Sequence, residues 1–147
     1  MSIEENKAIV RRFVEEVWGK ADIAAVEQLV HPDITVAYPL LPEVVHGREA
    51  FKEVLAQVQT ALPDVHASLD ELIAEGDKVV ARWAMAGTQQ GAFGSIPPTG
   101  KSVRWTGISI CRVADGQVIE DRGEEDALGL MQQLGVVPAP EQVATPA

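Results

Sequence analysis

Cysteine is almost absent from this sequence, and its scarcity excludes two classes of structure. Only one of the 147 residues is cysteine, Cys111, so neither an internal disulfide nor a cysteine metal cluster can form. The surrounding stretch, ISICRV, is typical of a buried strand. We therefore expect an inert core thiol at this position.

Basic residues and long apolar runs are also scarce. Twelve Lys and Arg stand against 22 Asp and Glu, giving a net charge of -10. Such a charge repels phosphate backbones and anionic lipid headgroups, so neither nucleic acid nor a membrane is an expected partner. No apolar run approaches the ~18 residues that span a bilayer, and the N-terminal stretch MSIEENKAIV does not resemble a secretory signal. We expect a cytoplasmic protein.

Helical spacing is present in the first part of the chain. Apolar residues recur every three or four positions up to Trp18, and Gly19 is expected to end this helix. Asp22 is expected to cap a short second helix, and a third is predicted over residues 48–62. A last short helix is predicted to begin at Asp126.

Alternation of apolar and polar residues, typical of half-buried strands, marks much of the remaining chain. The predicted strands cover residues 34–38, 65–72, 79–85, 102–113 and 117–123. Two tight turns, Glu75-Gly76-Asp77 and Ala114-Asp115-Gly116, join strands into hairpins. Helices followed by antiparallel strands are typical of the α+β class, in which helices cover one face of the sheet. We expect one domain over residues 1–135 and an irregular tail over 136–147.

Five short stretches, EGDKVVARW, GTQQG, IPPTGK, DGQVIE and LGLMQQLG, follow one another in this order. In order and spacing they resemble the SnoaL-like polyketide cyclases and their ester-cyclase relatives, from about Ile9 to Gly135. The resemblance implies the conical, cystatin-like α+β barrel of the nuclear-transport-factor-two-like superfamily, with a curved sheet wrapped around helices and a deep pocket. It also implies a homodimer formed through the outer sheet face. Shared fold does not carry shared chemistry.

The polar residues that the resembled family uses are exchanged in this sequence. In its aldol-type cyclases an aspartate late in the last long strand moves a proton at the carbon being joined, and that position corresponds to Gly123. A histidine on the neighbouring strand corresponds to Ser109, and the histidine of the GTHxG pattern corresponds to Gln89. A register shift of one or two residues would instead place Asp121 or Glu124 at the carboxylate position.

Asp121 is the first candidate for catalysis. Strand alternation places it on one face with Ile119 and Gly123, and the resemblance makes this the pocket face. An apolar pocket would raise the pKa of the Asp121 carboxyl towards the range useful for moving protons, whereas the alternative is a surface ion pair. Asp126 is the second candidate, although a carboxylate there can also cap the last helix. Arg122 is expected on the opposite face.

A wide apolar pocket is predicted, with flat aromatic walls suited to a polycyclic or aromatic ligand. The alternative for the strand residues among its lining is ordinary core packing. Gly107 and Gly123 are expected to leave open space beside Trp105. The candidate substrate-binding residues are Trp18, Tyr38, Trp83, Met85, Gln89, Trp105, Gly107, Ser109 and Gly123.

The three histidines, His31, His46 and His66, form no spacing typical of metal ligands, so no metal site is expected. His46 belongs to a loop, residues 42–47, that could fold over the pocket opening. The motifs GxSxG, GxGxxG and the Walker glycine loop are absent from the sequence, which argues against serine hydrolase and nucleotide-binding functions.

The leading hypothesis is a cofactor-independent enzyme that cyclises or isomerises a small hydrophobic polyketide- or terpenoid-like substrate. The pocket would fold the substrate into a reactive shape while one carboxyl moves a proton. A non-catalytic carrier of an apolar ligand is the second hypothesis, favoured by the exchanged polar residues. Epoxide hydrolysis is a third, but it needs a carboxylate and an arginine on one face, whereas Asp121 and Arg122 alternate.

Overall fold

The computed structural model describes residues 2–138 of the chain, so most of the predicted tail lies outside the described residues. The helices in this part are α1 (Ile3–Arg12), α2 (Ile23–Leu29), α3 (Arg48–Ala61) and α4 (Ala127–Gln133). The strands are β1 (Val30–Ala37), β2 (Val45–His46), β3 (His66–Glu75), β4 (Lys78–Thr88), β5 (Ser102–Ala114) and β6 (Gln117–Glu125). Helices and a curved sheet together confirm the α+β prediction.

The N-terminal helix continues past α1 as a π-helical segment, Phe13–Trp18. Helix α1 begins with a reciprocal cap, because the Ser2 hydroxyl accepts from the Glu5 N–H while the Glu5 carboxylate accepts from the Ser2 N–H. Gly19 is the C-cap of this segment, as predicted. It stays right-handed at φ -73, and its missing side chain allows the helix to approach β3.

Helix α2 begins as predicted at Asp22, whose carboxylate accepts a hydrogen bond of 3.2 Å from the Ala25 N–H. The break between the two helices falls at Ala21, which adopts a positive φ of 50°. No local pattern marked this position, because an alanine rarely takes the left-handed conformation.

The six strands form one sheet in the order β2-β1-β6-β5-β4-β3. Both predicted turns are confirmed, since they join β3 to β4 and β5 to β6 as antiparallel hairpins. The sheet is antiparallel as expected except at one pair, because β1 pairs with β6 in parallel. This pairing sets Val36 opposite Asp121 and so brings the chain after β1 to the candidate carboxylate.

The concave face of the sheet packs against α1, the π-helical segment and α3. Phe13 and Phe51 are fully buried between these layers, with ring centroids 6.0 Å apart. Cys111 is also fully buried, as predicted. On the opposite face Ile73 and Ile108 are 57% and 51% exposed. Exposed apolar side chains on this face fit the expected homodimer, which stays a prediction.

Two glycines allow aromatic rings to lie across the concave face. A Cβ atom at Gly107 would stand 2.3 Å from Trp83 Cζ2, and one at Gly123 would stand 2.6 Å from Tyr38 Cε1. The prediction of open space at these glycines is therefore wrong, because the two rings fill it. Each glycine instead provides the close approach that its neighbouring ring requires.

Substitution Gly107→Ala should lower the free energy of unfolding by about 1–3 kcal/mol, because the new methyl group must displace the Trp83 ring or the strand. Urea unfolding of the wild type and the variant measures the change. Thr106→Ser is the matched control. Because the Thr106 side chain is exposed, this substitution should change the free energy of unfolding by less than about 1 kcal/mol. Equal effects of the two substitutions would contradict the steric role of Gly107.

Candidate active site

A cavity of about 750 Å³ opens between the concave sheet face, the π-helical segment and α3. The chain has seven aromatic residues, three Trp, three Phe and one Tyr, and six of them line this cavity. These six are Phe13, Trp18, Tyr38, Trp83, Phe93 and Trp105. The seventh, Phe51, contacts Trp18 edge-on with ring centroids 5.1 Å apart. Most of the aromatic side chains of the protein therefore border one cavity.

Asp121 is the buried carboxylate of this cavity and is only 1% exposed. Its Oδ2 accepts a hydrogen bond of 2.9 Å from Trp18 Nε1. Its Oδ1 accepts one from the Tyr38 hydroxyl and a weak one of 3.6 Å from Cys111 Sγ. These donors come from three separate parts of the chain, and they fix the carboxylate on both of its oxygens.

Burial sets the protonation of Asp121. Loss of solvation raises the pKa of the Asp121 carboxyl from 3.8 to about 6, even though hydrogen bonds from Tyr38, Trp18 and Cys111 lower it. The negative charge of Glu125 raises this pKa a little further. A carboxyl with a pKa near 6 is mostly ionised at neutral pH and can both take up and return a proton.

A chain of hydroxyl groups joins Asp121 to the opposite wall. The Trp83 indole N–H donates to Ser109 Oγ over 2.7 Å, and Ser109 Oγ is hydrogen-bonded to the Tyr38 hydroxyl. Because the Tyr38 hydroxyl donates to Asp121, the Ser109 hydroxyl must donate to Tyr38. Burial and the charge of Asp121 hold the pKa of Tyr38 well above its usual range, so the phenol keeps its proton.

Glu125 is a second carboxylate in the cavity lining. Its Oε1 accepts from Trp105 Nε1 over 3.0 Å, and its Oε2 accepts from the Leu40 N–H over 3.1 Å. Partial burial raises the pKa of Glu125, and the charge of Glu124 adds to this, whereas the two hydrogen bonds lower it. Within the described residues 2–138, no Lys, Arg or His lines the cavity to balance the two acids.

Residues 2–138 contain neither a metal-binding cluster nor a membrane-spanning helix. No group of three or more His, Cys, Asp or Glu side chains there is arranged to hold a metal ion. No helix in this range has the length and apolar character needed to cross a membrane. None of the three histidines is among the described residues that line the cavity. His46 lies in β2, where it pairs with Thr35 of β1.

The sequence model of the SnoaL-like polyketide cyclases matches residues 8–134. This chain belongs to the SnoaL-like polyketide cyclase family. The resemblance seen in the five short stretches is thereby confirmed, and so is the expectation of a cyclase-type enzyme.

Individual relatives cover most of this SnoaL-like chain. It is 33% identical over 138 residues to aklanonic acid methyl ester cyclase DauD of Streptomyces sp. (strain C5), covering 90% of this chain and 84% of the relative. It is 32% identical over 139 residues to aklanonic acid methyl ester cyclase DnrD of Streptomyces peucetius, covering 90% and 93%. Among solved structures, TsrD from Streptomyces laurentii matches with a TM-score of 0.82 at 28% identity, covering 93% of this chain and 99% of TsrD.

The SnoaL-like fold brings most of the predicted site residues together. Those that line the cavity are Trp18, Tyr38, Trp83, Met85, Trp105, Ser109 and Asp121. Gly107 and Gly123 are not among the lining residues, because the Trp83 and Tyr38 rings lie over them.

Two other predicted residues have different roles in the structure. Asp126, expected as a second catalytic carboxylate, is exposed and caps α4 by accepting a hydrogen bond from the Gly129 N–H. Gln89, expected to bind substrate, is fully buried outside the lining and holds the loop after β4 through bonds to Ile96, Pro97 and Thr99.

Sequence reasoning missed Glu125 and Phe93 as lining residues. The signal for Glu125 was available, because it follows Asp121 by four positions and strand alternation places both on one face. Phe93 gave no signal, since it lies in the loop between β4 and β5. Its ring meets Trp105 edge-on, with centroids 6.4 Å apart.

The raised pKa of Asp121 should make stability depend on pH in a defined direction. The carboxyl has a pKa near 4 when unfolded and about 6 when folded, so between these values the folded state binds more protons. The free energy of unfolding should therefore fall as pH rises through this range. A pKa difference of about two corresponds to about 3 kcal/mol.

Urea unfolding of the wild type and Asp121→Asn at several pH values isolates this contribution, because other carboxyl groups titrate alike in both proteins. The free energy of the wild type minus that of the variant should fall by about 3 kcal/mol between about pH 3.5 and pH 7.5. A difference that stayed constant with pH would show that burial does not raise the pKa of Asp121.

Proposed function

We propose that this chain catalyses ring closure or isomerisation of a neutral, carbonyl-containing polyketide- or terpenoid-like molecule, with Asp121 as general acid and base. The observation that carries the proposal is the Asp121 carboxylate, buried in an aromatic cavity with a pKa raised to about 6. Membership of a cyclase family supports the same reaction class.

An aldol-type closure needs only proton transfers at this site. The Asp121 carboxylate removes a proton from the carbon next to a substrate carbonyl, leaving an enolate. The enolate carbon attacks a second carbonyl carbon of the same molecule, forming the carbon–carbon bond and an alkoxide. The protonated Asp121 then returns the proton to that oxygen. The product is an isomer of the substrate, so neither an oxidant nor a leaving group is required.

The neighbours of Asp121 suit it to this cycle. The Trp18 and Tyr38 donors hold the carboxylate in one orientation, which lowers the entropy cost of reaching the transition state. Aromatic walls on several sides restrict a flexible chain to folded shapes in which its carbonyl groups approach each other. Positioning and proton transfer together are the whole catalytic contribution that we assign to the protein.

The charge of the cavity favours a neutral substrate. Asp121 and Glu125 lie in the lining without a basic side chain, so a carboxylate on the substrate would be repelled. The relatives DauD and DnrD are named for a methyl ester of an acid, a form in which that charge is removed. We extend this preference for an esterified substrate to the present chain.

The epoxide hydrolase alternative receives no support from the arginine. Arg122 points away from the cavity, where its side chain is 54% exposed and lies 3.6 Å from Glu120. The carrier alternative differs from the cyclase in one measurable respect, because a carrier releases its ligand unchanged.

Asp121→Asn should reduce kcat by at least about 100-fold, because an amide cannot take up the proton. The assay is conversion of aklanonic acid methyl ester, followed by chromatography with mass detection, since ring closure changes retention and leaves the mass unaltered. Glu124→Gln is the matched control, an exposed carboxylate on the same strand, and it should retain full activity. Turnover by Asp121→Asn within a few-fold of the wild type would refute the acid and base role. Unchanged ester with the wild type would contradict the proposed substrate class.

In Asp121→Asn the free acid should bind at least about 10-fold more weakly than its methyl ester, because the remaining Glu125 carboxylate opposes its charge. Isothermal titration calorimetry of aklanonic acid and its methyl ester with Asp121→Asn at about pH 7.5 measures the ratio without turnover. Because Glu125 remains in that variant, the preference should persist there. Equal affinity for the acid and the ester would contradict the proposed charge selection.

A further inference from the structure

Glu125 is a second carboxylate in the cavity wall, separate from the Asp121 carboxylate that we assign to proton transfer. It is the last residue of β6 and follows Asp121 by four positions, so strand geometry separates the two backbones by roughly 13 Å on one face. Apolar and aromatic side chains make up most of the wall around them. The two carboxylates therefore lie at separate points along one apolar wall of the cavity.

The protein holds the Glu125 carboxylate in place from two directions. Trp105 on β5 donates its indole N–H to Oε1, and the Leu40 backbone N–H, in the segment after β1, donates to Oε2. Phe93 packs edge-on against the Trp105 ring. With one donor fixed on each oxygen, the side chain cannot turn out into solvent without losing both hydrogen bonds.

The hydrogen-bonding capacity of Glu125 exceeds what the protein supplies. A carboxylate can accept about four hydrogen bonds, two at each oxygen, and the protein provides two. Asp121 receives three, from Trp18, Tyr38 and Cys111. No basic side chain lines the cavity to neutralise Glu125. A hydroxyl group on a ligand is the partner that this arrangement lacks.

We propose that Glu125 accepts a hydrogen bond from a phenol or enol hydroxyl at the end of the substrate remote from the reacting carbon. The proposal rests on the proposed function, in which Asp121 acts at the reacting carbon. Anchoring the remote hydroxyl fixes the substrate along the cavity and so determines which carbon meets Asp121. Glu125 is thus a specificity-determining residue of the same site.

A purely structural role for Glu125 makes a different prediction. If the carboxylate only positions Trp105 and the Leu40 backbone, its loss should weaken binding of all aromatic ligands equally. A hydrogen bond to the ligand instead favours a hydroxyl over the corresponding methyl ether, because the ether has no proton to donate. The ratio of the two affinities separates these roles.

The test uses β-naphthol and its methyl ether, two neutral probes that do not react, in calorimetric titrations at about pH 7. The wild type should bind β-naphthol about 10-fold more tightly than the ether, as a hydrogen bond to a charged acceptor allows. In Glu125→Gln the preference should fall to about two-fold or less. The control variants Glu124→Gln and Asp121→Asn should retain it, because Glu124 is exposed and Asp121 already has three donors.

Equal affinities of the wild type for the two probes would overturn the proposal without any variant, as would failure of both probes to bind. Loss of the preference in Asp121→Asn, with its retention in Glu125→Gln, would assign the hydroxyl to Asp121 instead. These outcomes leave the acid and base role of Asp121 standing, because that role is tested by turnover. Conversely, a turnover result that removes the role of Asp121 does not change the measured preference for a hydroxyl.

Discussion

Burial of the Asp121 carboxylate is the constraint on which the arrangement of the site depends. A carboxylate taken out of water without partners costs several kcal/mol, so the fold must supply donors to both of its oxygens. Trp18 supplies one from the end of the first helix, and Tyr38 supplies another from the end of β1. The donors reduce the cost without removing it, which leaves the pKa of the carboxyl at about 6.

Irregular features of the fold are concentrated where these donors are positioned. The N-terminal helix takes π-helical geometry in its last turns, and Trp18 is the last residue of this π-helical segment. The parallel pairing of β1 with β6 brings Tyr38 beside Gly123, where the missing side chain admits the ring. Gly107 does the same for Trp83, whose indole bonds Ser109. Regular packing alone would not bring these polar tips to one carboxylate.

Uncharged donors hold the acidic side chains of the cavity in place. Both carboxylates of the lining are held by indole N–H groups, and the three tryptophans of the chain donate to Asp121, Ser109 and Glu125. Indole N–H groups are donors that carry no charge, so they orient the acids without neutralising them. A cavity built in this way keeps its negative charge available, and this supports the proposal that the ligand is neutral or supplies a proton donor of its own.

Alternation and turn chemistry let the sequence determine by itself the α+β class, both hairpins and the shared face of Trp83 and Met85. These features depend on residues near one another in the chain. The place of Asp121 on the pocket face came from the family resemblance. The roles of Gly107 and Gln89 were decided by tertiary structure, because each depends on what another strand or loop places beside it. The capping role of Asp126 is local, because its partner Gly129 is three residues away. The parallel β1–β6 pair was beyond local patterns, since it joins residues about 85 positions apart, such as Val36 and Asp121. Only the folded chain buries Asp121 beside Trp18 and Tyr38, and that burial raises the pKa of the carboxyl to about 6, the protonation behaviour on which the proposed chemistry depends.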